Sequence, residues 1–146
     1  MTLIIAGERS GAGKTTITLA ILAYLAQQRE KVQSFKVGPD YIDPMFHSRV
    51  TGRPCRNLDP ILTSEAYVQQ GFAYHAAQTP YSLIEGVMGL FDGIPFRGIP
   101  DYASTAHLAR LLKIPVVLVI DCRSLSGSVA AIVQGYRHFH PDVKLV

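Results

Sequence analysis

Ile4-Ile5-Ala6-Gly7-Glu8-Arg9-Ser10-Gly11-Ala12-Gly13-Lys14-Thr15-Thr16 carries the chain from an apolar strand through a glycine-rich turn into the start of a helix. That is the setting a phosphate-binding loop requires. The glycines let backbone N–H groups turn toward an anion, Lys14 can reach terminal phosphates, and the Thr15 hydroxyl can hold a bridging Mg²⁺. The stretch therefore reads as a nucleoside triphosphate site, with Ser10, Gly11, Ala12, Gly13, Lys14, Thr15 and Thr16 as its binding residues. Its spacing departs from the usual one, because Glu8 stands where a glycine is expected and Gly7 comes one place earlier. Gly-Lys-Thr after a strand is also an ordinary turn and helix start, but the apolar strand and the loop glycines together favour the phosphate site.

Working outward, 146 residues suit one globular domain with a substantial core. A net charge of +3, with 14 basic residues in no run longer than two, does not call for nucleic acid or an anionic membrane. Two cysteines, Cys55 and Cys122, are too few for a disulfide framework, and no charged leader with an apolar core opens the chain, so a reducing cytoplasm is expected. The longest apolar run, 114–120, falls well short of the roughly twenty residues a membrane helix needs.

After the loop, Ile17, Ala20, Ile21, Tyr24 and Leu25 recur at helical spacing, and 32–35 then alternates as a second strand ending at Lys36. This strand, helix, strand order predicts a parallel unit with a right-handed crossover. Residues 37–59 are rich in Gly, Pro and Asp and read as a loop with one short helix from Asp43-Pro44 to near Gly52. Thr63 or Ser64 caps a helix to about Gln78, with Tyr67, Val68, Phe72 and Tyr74 supplying its apolar faces. Residues 81–84 and 116–120 read as the third and fourth strands, the latter buried on both faces. Helices are expected at 104–112 and from Ser126 to about His138, the second with Val129, Ile132, Val133 and Tyr136 on one side. Residues 143–146 read as a fifth strand cut short, with Val143, Leu145 and Val146 left as exposed apolar surface, which suggests a piece of a longer protein. The fold class expected is α/β: a parallel sheet of the P-loop NTPase type with helices on both faces.

The strands lead into Gly7-Glu8, Lys36, Glu85-Gly86 and Asp121, and in an open parallel sheet that carboxyl edge is where ligands bind. Glu85 is placed to reach the Mg²⁺ on Thr15, and Gly86 suggests a backbone close to ligand. Asp92 reads equally as a functional acid or a turn former. Asp43 before Pro44 reads first as an N-cap, whereas Asp40 follows Gly38-Pro39 with no helix to cap and is the sharper candidate. Arg49, Arg53, Arg56 and Arg97 lie in or beside the irregular segments, and guanidinium groups beside a nucleotide suit a polycarboxylate substrate; His47 can join them. The histidines and cysteines show no metal-ligand spacing.

Three long strings, Lys36-Val37-Gly38-Pro39-Asp40-Tyr41-Ile42-Asp43-Pro44, Gly52-Arg53-Pro54-Cys55-Arg56-Asn57-Leu58-Asp59 and Glu85-Gly86-Val87-Met88-Gly89-Leu90-Phe91-Asp92-Gly93, closely resemble the cobyrinic acid a,c-diamide synthases. The variant loop is similar to theirs, and to those of dethiobiotin synthetases and partitioning ATPases. In the last group a signature lysine sits five residues before the loop lysine, and here Arg9 holds that place. The resemblance implies ATP with Mg²⁺, and amidation of the a and c carboxylates of a corrinoid polycarboxylate, cobyrinate or hydrogenobyrinate, through an acyl phosphate. It implies that residues 1–146 are a partial synthetase domain, that a C-terminal glutaminase domain of the same chain supplies ammonia, and that a homodimer is compatible. It places nucleotide and metal roles on Lys14, Thr15 and Glu85, and catalytic roles on Lys14, Asp40 and Asp92, while likeness to the dethiobiotin synthetases implies a further catalytic role for Lys36 across the γ-phosphate. Its substrate side falls on Asp40, Tyr41, Asp43, Arg53 and Arg56. Amidation of nickel-sirohydrochlorin and a partitioning-type regulatory ATPase are the alternatives.

Overall fold

The computed structural model describes residues 1–96 and 98–146. Arg97, expected beside the ligand edge, lies outside the described residues. Strands β1 (Thr2–Gly7), β2 (Val32–Val37), β3 (Arg56–Leu58), β4 (Tyr81–Glu85) and β7 (Val116–Val119) form one sheet in the order β3-β2-β4-β1-β7. Every neighbouring pair is parallel. Helices α1 (Lys14–Gln27), α2 (Asp43–Thr51), α3 (Glu65–Ala76), α4 (Thr105–Leu112) and α5 (Ser128–Phe139) connect the strands, and β5 (Ile94–Phe96) with β6 (Ile99–Tyr102) makes a separate antiparallel hairpin. The expected α/β parallel sheet with helices on both faces is the fold observed.

Two apolar layers sandwich the sheet. One gathers Phe35, Ile84, Leu108 and Val116 under α3 and α4, with Phe72 packed on it from α3 and its ring 5.2 Å from Phe35. The other gathers Ile5, Leu22, Val32 and Leu83 under α1. The central strands β2 and β4 are buried almost throughout, because a parallel strand covered by helices on both faces has no solvent side.

The differences from expectation have physical reasons. α1 buries Lys14, Thr18 and Leu22, leaving Ile17 and Tyr24 exposed. Its sequence is apolar nearly all round, so spacing alone does not choose a face. On α3, Ser64 caps as expected, accepting from the Tyr67 N–H, and Val68 and Phe72 pack on the core as expected, but Tyr67 and Tyr74 are exposed. β2 extends past Phe35 to Val37, which puts Lys36 inside the strand. Residues 37–59, expected as a loop with one helix, also hold β3, whose three residues show no strand pattern because Arg56 and Asn57 are exposed. β7 is buried only at Val116 and half-buried beyond it, since it stands at the end of the strand order. Residues 143–146 contribute a single parallel bridge, Leu145 to Val116, and Val143 is buried in the core, so of the three apolar residues expected to be exposed only Val146 is.

Candidate nucleotide and carboxylate site

The glycine-rich turn delivers Lys14 and Thr15 into the first turn of α1. Gly13 stands at the helix N-cap with φ +99°, a left-handed conformation that a side chain would strain. No acidic residue lies in that first turn and no side chain caps it, so its N–H groups and the positive end of the helix dipole face outward, where an anion binds. Lys14 is 7% exposed and donates from Nζ to the carbonyls of Met88 (2.6 Å) and Arg9 (3.1 Å), tying the loop to the turn after β4. Burial and the nearby Lys36 lower its pKa, with Glu85 opposing.

β2 and β4 pair so that Lys36 and Glu85 are register partners at their carboxyl ends. Lys36 Nζ donates to Asp43 Oδ2 (2.7 Å), Glu85 Oε1 (2.9 Å) and the Gly86 carbonyl (3.2 Å), with Asp40 Oδ2 at 3.7 Å. Burial works against its charge, but Asp43 and Glu85 outweigh burial and raise its pKa. Glu85 is wholly buried; Thr15 Oγ1 donates to its Oε1 at 2.6 Å, and His47 Nε2 meets its Oε2 at 2.7 Å. Burial alone would raise its pKa; hydrogen bonds from His47 and Thr15 and the Lys36 charge instead hold it at about 2. Asp43, partly buried and facing Glu85, is raised despite its bond to Lys36.

These groups converge on a cavity of about 440 Å³. Its wall is formed by Ser10, Gly11, Gly13, Lys14, Thr15 and Thr16 from the loop, by Lys36, Asp40, Asp43 and Glu85 from the neighbouring strand ends, and by Val87 and Met88. Of the expected loop residues only Ala12 is outside that wall. A hydroxyl and a carboxylate 2.6 Å apart beside an anion-binding helix start are the hard oxygen donors Mg²⁺ takes, and Lys14 and Lys36 are placed to meet phosphate oxygens. Among the described residues no three His, Cys, Asp or Glu side chains group to hold a metal ion by themselves. A cation here would lean on phosphate oxygens and water for the rest of its shell.

Several expected roles shift. Asp43 does not cap α2: Ile42 occupies the cap position, and Asp40 Oδ1 accepts from the Ile42 and Asp43 N–H groups at 2.8 and 3.2 Å. The Asp43 carboxylate is thereby freed for Lys36. Asp92 Oδ2 accepts from the Gly89 N–H at 2.8 Å and closes the Gly89–Asp92 turn; it is exposed and outside the cavity wall. Gly86 is required by close packing on the protein itself, since a Cβ there would lie 2.7 Å from Thr105 Oγ1 and 3.0 Å from the Ile5 carbonyl. Tyr41 is 78% exposed beside Asp40. Arg53 is directed away from the cavity: its guanidinium donates to Gln78 just beyond α3, where burial lowers the pKa of His75 and the charges of Arg56 and Arg53 add to that. The structure does not bring Arg53 and Arg56 to the phosphate loop. His47, expected among the arginines, is buried under Glu85 instead. A signal for it existed, since His47 follows Asp43 by four residues and so shares its helix face.

Residues 3–146 match the family described as the CobQ/CobB/MinD/ParA nucleotide binding domain. The chain belongs to this family. As a member of the CobQ/CobB/MinD/ParA group it is 77% identical over 146 residues to the cobyrinate a,c-diamide synthase of Synechocystis sp., a match covering 100% of the chain and 30% of that protein. It is 61% identical over 145 residues to the same-named protein of Synechococcus sp. (99% of the chain, 31% of the relative). It is 47% identical over 143 residues to the hydrogenobyrinate a,c-diamide synthase of Mycobacterium tuberculosis (97% and 31%). The chain thus spans under a third of the length of these relatives. The signal recognition particle receptor FtsY from Elizabethkingia anophelis superposes with a TM-score of 0.63 at 16% identity, covering 99% of the chain and 48% of FtsY, a likeness of fold alone.

Proposed function

We propose that this chain is the nucleotide-binding part of an ATP-dependent amidating ligase of the cobalamin pathway, acting on the a and c carboxylates of cobyrinate or hydrogenobyrinate. The observation that carries the reading is the meeting of Lys14, Thr15, Lys36, Asp40, Asp43 and Glu85 around one cavity at the carboxyl edge of the sheet. The names of the relatives supply the substrate class. A carboxylate is a poor acyl donor at neutral pH, so transfer of the terminal phosphoryl group of ATP to it would create the leaving group that ammonia displaces. Bound Mg²⁺ would neutralise charge shifted between phosphoryl oxygens. Lys14 and the first-turn N–H groups of α1 hold the phosphates, Thr15 and Glu85 hold the cation, and Lys36 offers positive charge between the phosphates and the two aspartates. Asp40 and Asp43 face the incoming substrate, with Tyr41 at the mouth. Asp92 closes the Gly89–Asp92 turn, which follows Met88 of the cavity wall. Ammonia would come from glutamine at a glutaminase domain elsewhere in the full-length enzyme, and the setting would be the cytoplasm.

The test is to supply the full-length protein with ATP, Mg²⁺ and glutamine, and with cobyrinate, hydrogenobyrinate or nickel-sirohydrochlorin in turn. Diamide formation from one of the first two is expected. Asp40→Asn should abolish most amidation while nucleotide binding stays near parental. Turnover of nickel-sirohydrochlorin alone would move the substrate assignment, and ATP-driven dimerisation or lipid binding without any amidation would replace it by a partitioning-type role.

A further inference from the structure

The Glu85 carboxylate divides its two oxygens between two tasks. Oε1 receives Thr15 Oγ1 and Lys36 Nζ and faces the cavity, whereas Oε2 is committed to His47 Nε2 at 2.7 Å. His47 is itself wholly buried, and its other ring nitrogen, Nδ1, lies 3.4 Å from Cys55 Sγ. A buried imidazole must have both nitrogens answered or forfeit several kcal/mol of hydration, and here Glu85 and Cys55 answer them from opposite ends. Cys55 is fixed in turn, because its N–H donates to Ser48 Oγ at 3.0 Å and Thr51 Oγ1 bridges the His47 and Arg53 carbonyls at the end of α2. The ring therefore cannot turn without disturbing the helix and its exit loop.

We infer that His47, braced by Cys55, is a positioning residue that fixes the Glu85 carboxylate with one oxygen toward the cation and phosphate side of the cavity. Terminal carboxylate torsions are broad, so Thr15 and Lys36 on a single oxygen leave the plane of the group free to rotate. The His47 bond removes that freedom. The same helix carries Asp43 at its start, where Asp40 accepts the Ile42 and Asp43 N–H groups, so α2 ties the seat of the cation to the two aspartates. This inference rests on the reading of the loop as a MgATP site. Partners one step behind a metal ligand commonly matter 10–100-fold to affinity.

The experiment titrates Mg²⁺ into the full-length protein with ATP and follows nucleotide binding, alongside ATP binding in EDTA and the thermal midpoint. The variants are His47→Leu, His47→Gln, whose amide nitrogen stands near the Nε2 position, and Cys55→Ala. His47→Leu is expected to raise the Mg²⁺ midpoint about tenfold while metal-free ATP binding stays within about twofold, and His47→Gln to recover most of the loss. A folded His47→Leu with the parental Mg²⁺ midpoint, or His47→Gln as impaired as His47→Leu, would overturn the inference. Should His47→Leu fail to fold, Cys55→Ala decides: a midpoint raised about threefold supports the brace, and a parental one removes it. If the parent binds no ATP at all, the loop reading fails first and this inference with it, a result distinct from parental binding that ignores His47.

Discussion

Two charged clusters sit at the carboxyl edge of the sheet and are built in opposite ways. At the end of β4, Glu85 is wholly buried and is held by Thr15, Lys36 and His47, which come from α1, β2 and α2. Just past β7, Asp121 pairs with Arg9 and Arg123, whose side chains are 56% and 84% exposed. Hydrogen bonding does not separate the two, since Arg123 alone reaches both Asp121 oxygens at 2.6–3.1 Å. Burial does. A desolvated carboxylate is tolerable only in a geometry that answers every oxygen, so the Glu85 arrangement is enforced by the whole fold. A solvated pair is screened and can be rearranged at little cost. The chemistry proposed for this protein lies where geometry is enforced.

The largest effect expected is from Lys36→Met, which leaves Asp43 and Glu85 without their shared cation. Breaking a buried pair from one side costs about 3–5 kcal/mol, and urea unfolding should show a loss of that order. A loss no greater than that of a surface substitution would erase the contrast.

Next is the pH dependence of the same cluster. Burial opposes a charge on His47, but Cys55 and Glu85 outweigh it and carry its pKa from 6.5 to about 9. A pKa raised in the folded state gives stability that is complete below pH 6.5 and is lost as pH rises through about 9, a change worth about 3 kcal/mol. Glu85, lowered from 4.5 to about 2, gives stability present above pH 4.5 and lost as pH falls through about 2. The nucleotide-free protein should thus be most stable between these windows and weaken toward pH 9. His47→Leu should flatten the alkaline limb; an unchanged slope would contradict the assignment.

Asp40→Ala should cost about 1 kcal/mol through loss of the acceptor for the Ile42 and Asp43 N–H groups, whereas Asp40→Asn, whose amide oxygen can still accept them, should keep the stability. Comparing thermal midpoints of the two separates the structural task of Asp40 from its proposed substrate task. The smallest effect should come from Arg123→Ala, with no measurable change in the urea midpoint despite its bonds to Asp121.

Much of this was legible in the sequence. The strand, glycine turn and helix start at 4–16 are found where the sequence puts them, and the strand ends bring Lys36 and Glu85 to one edge. Asp43-Pro44 and Gly52 marked α2 to within a residue. What stayed hidden depends on tertiary contact. That the Asp43 carboxylate turns to Lys36 and does not serve the helix start depends on a side chain from β2, and no local pattern carries that. The burial of His47 depends on Glu85 arriving from a strand 38 residues away. The course of Arg53 toward Gln78 requires knowing where α3 ends relative to β2. The hairpin β5–β6 lies in a Gly- and Pro-rich segment without alternation, so periodicity is silent there.

The central claim, that the enforced cluster and its loop form a MgATP site, is tested most directly by calorimetric titration of ATP with Mg²⁺ into the parent and Lys14→Ala. The account predicts saturable binding by the parent, and a loss of at least about tenfold in Lys14→Ala, as removal of a charge-assisted contact to phosphate implies, with the fold retained. Equal affinities in the two proteins would contradict it.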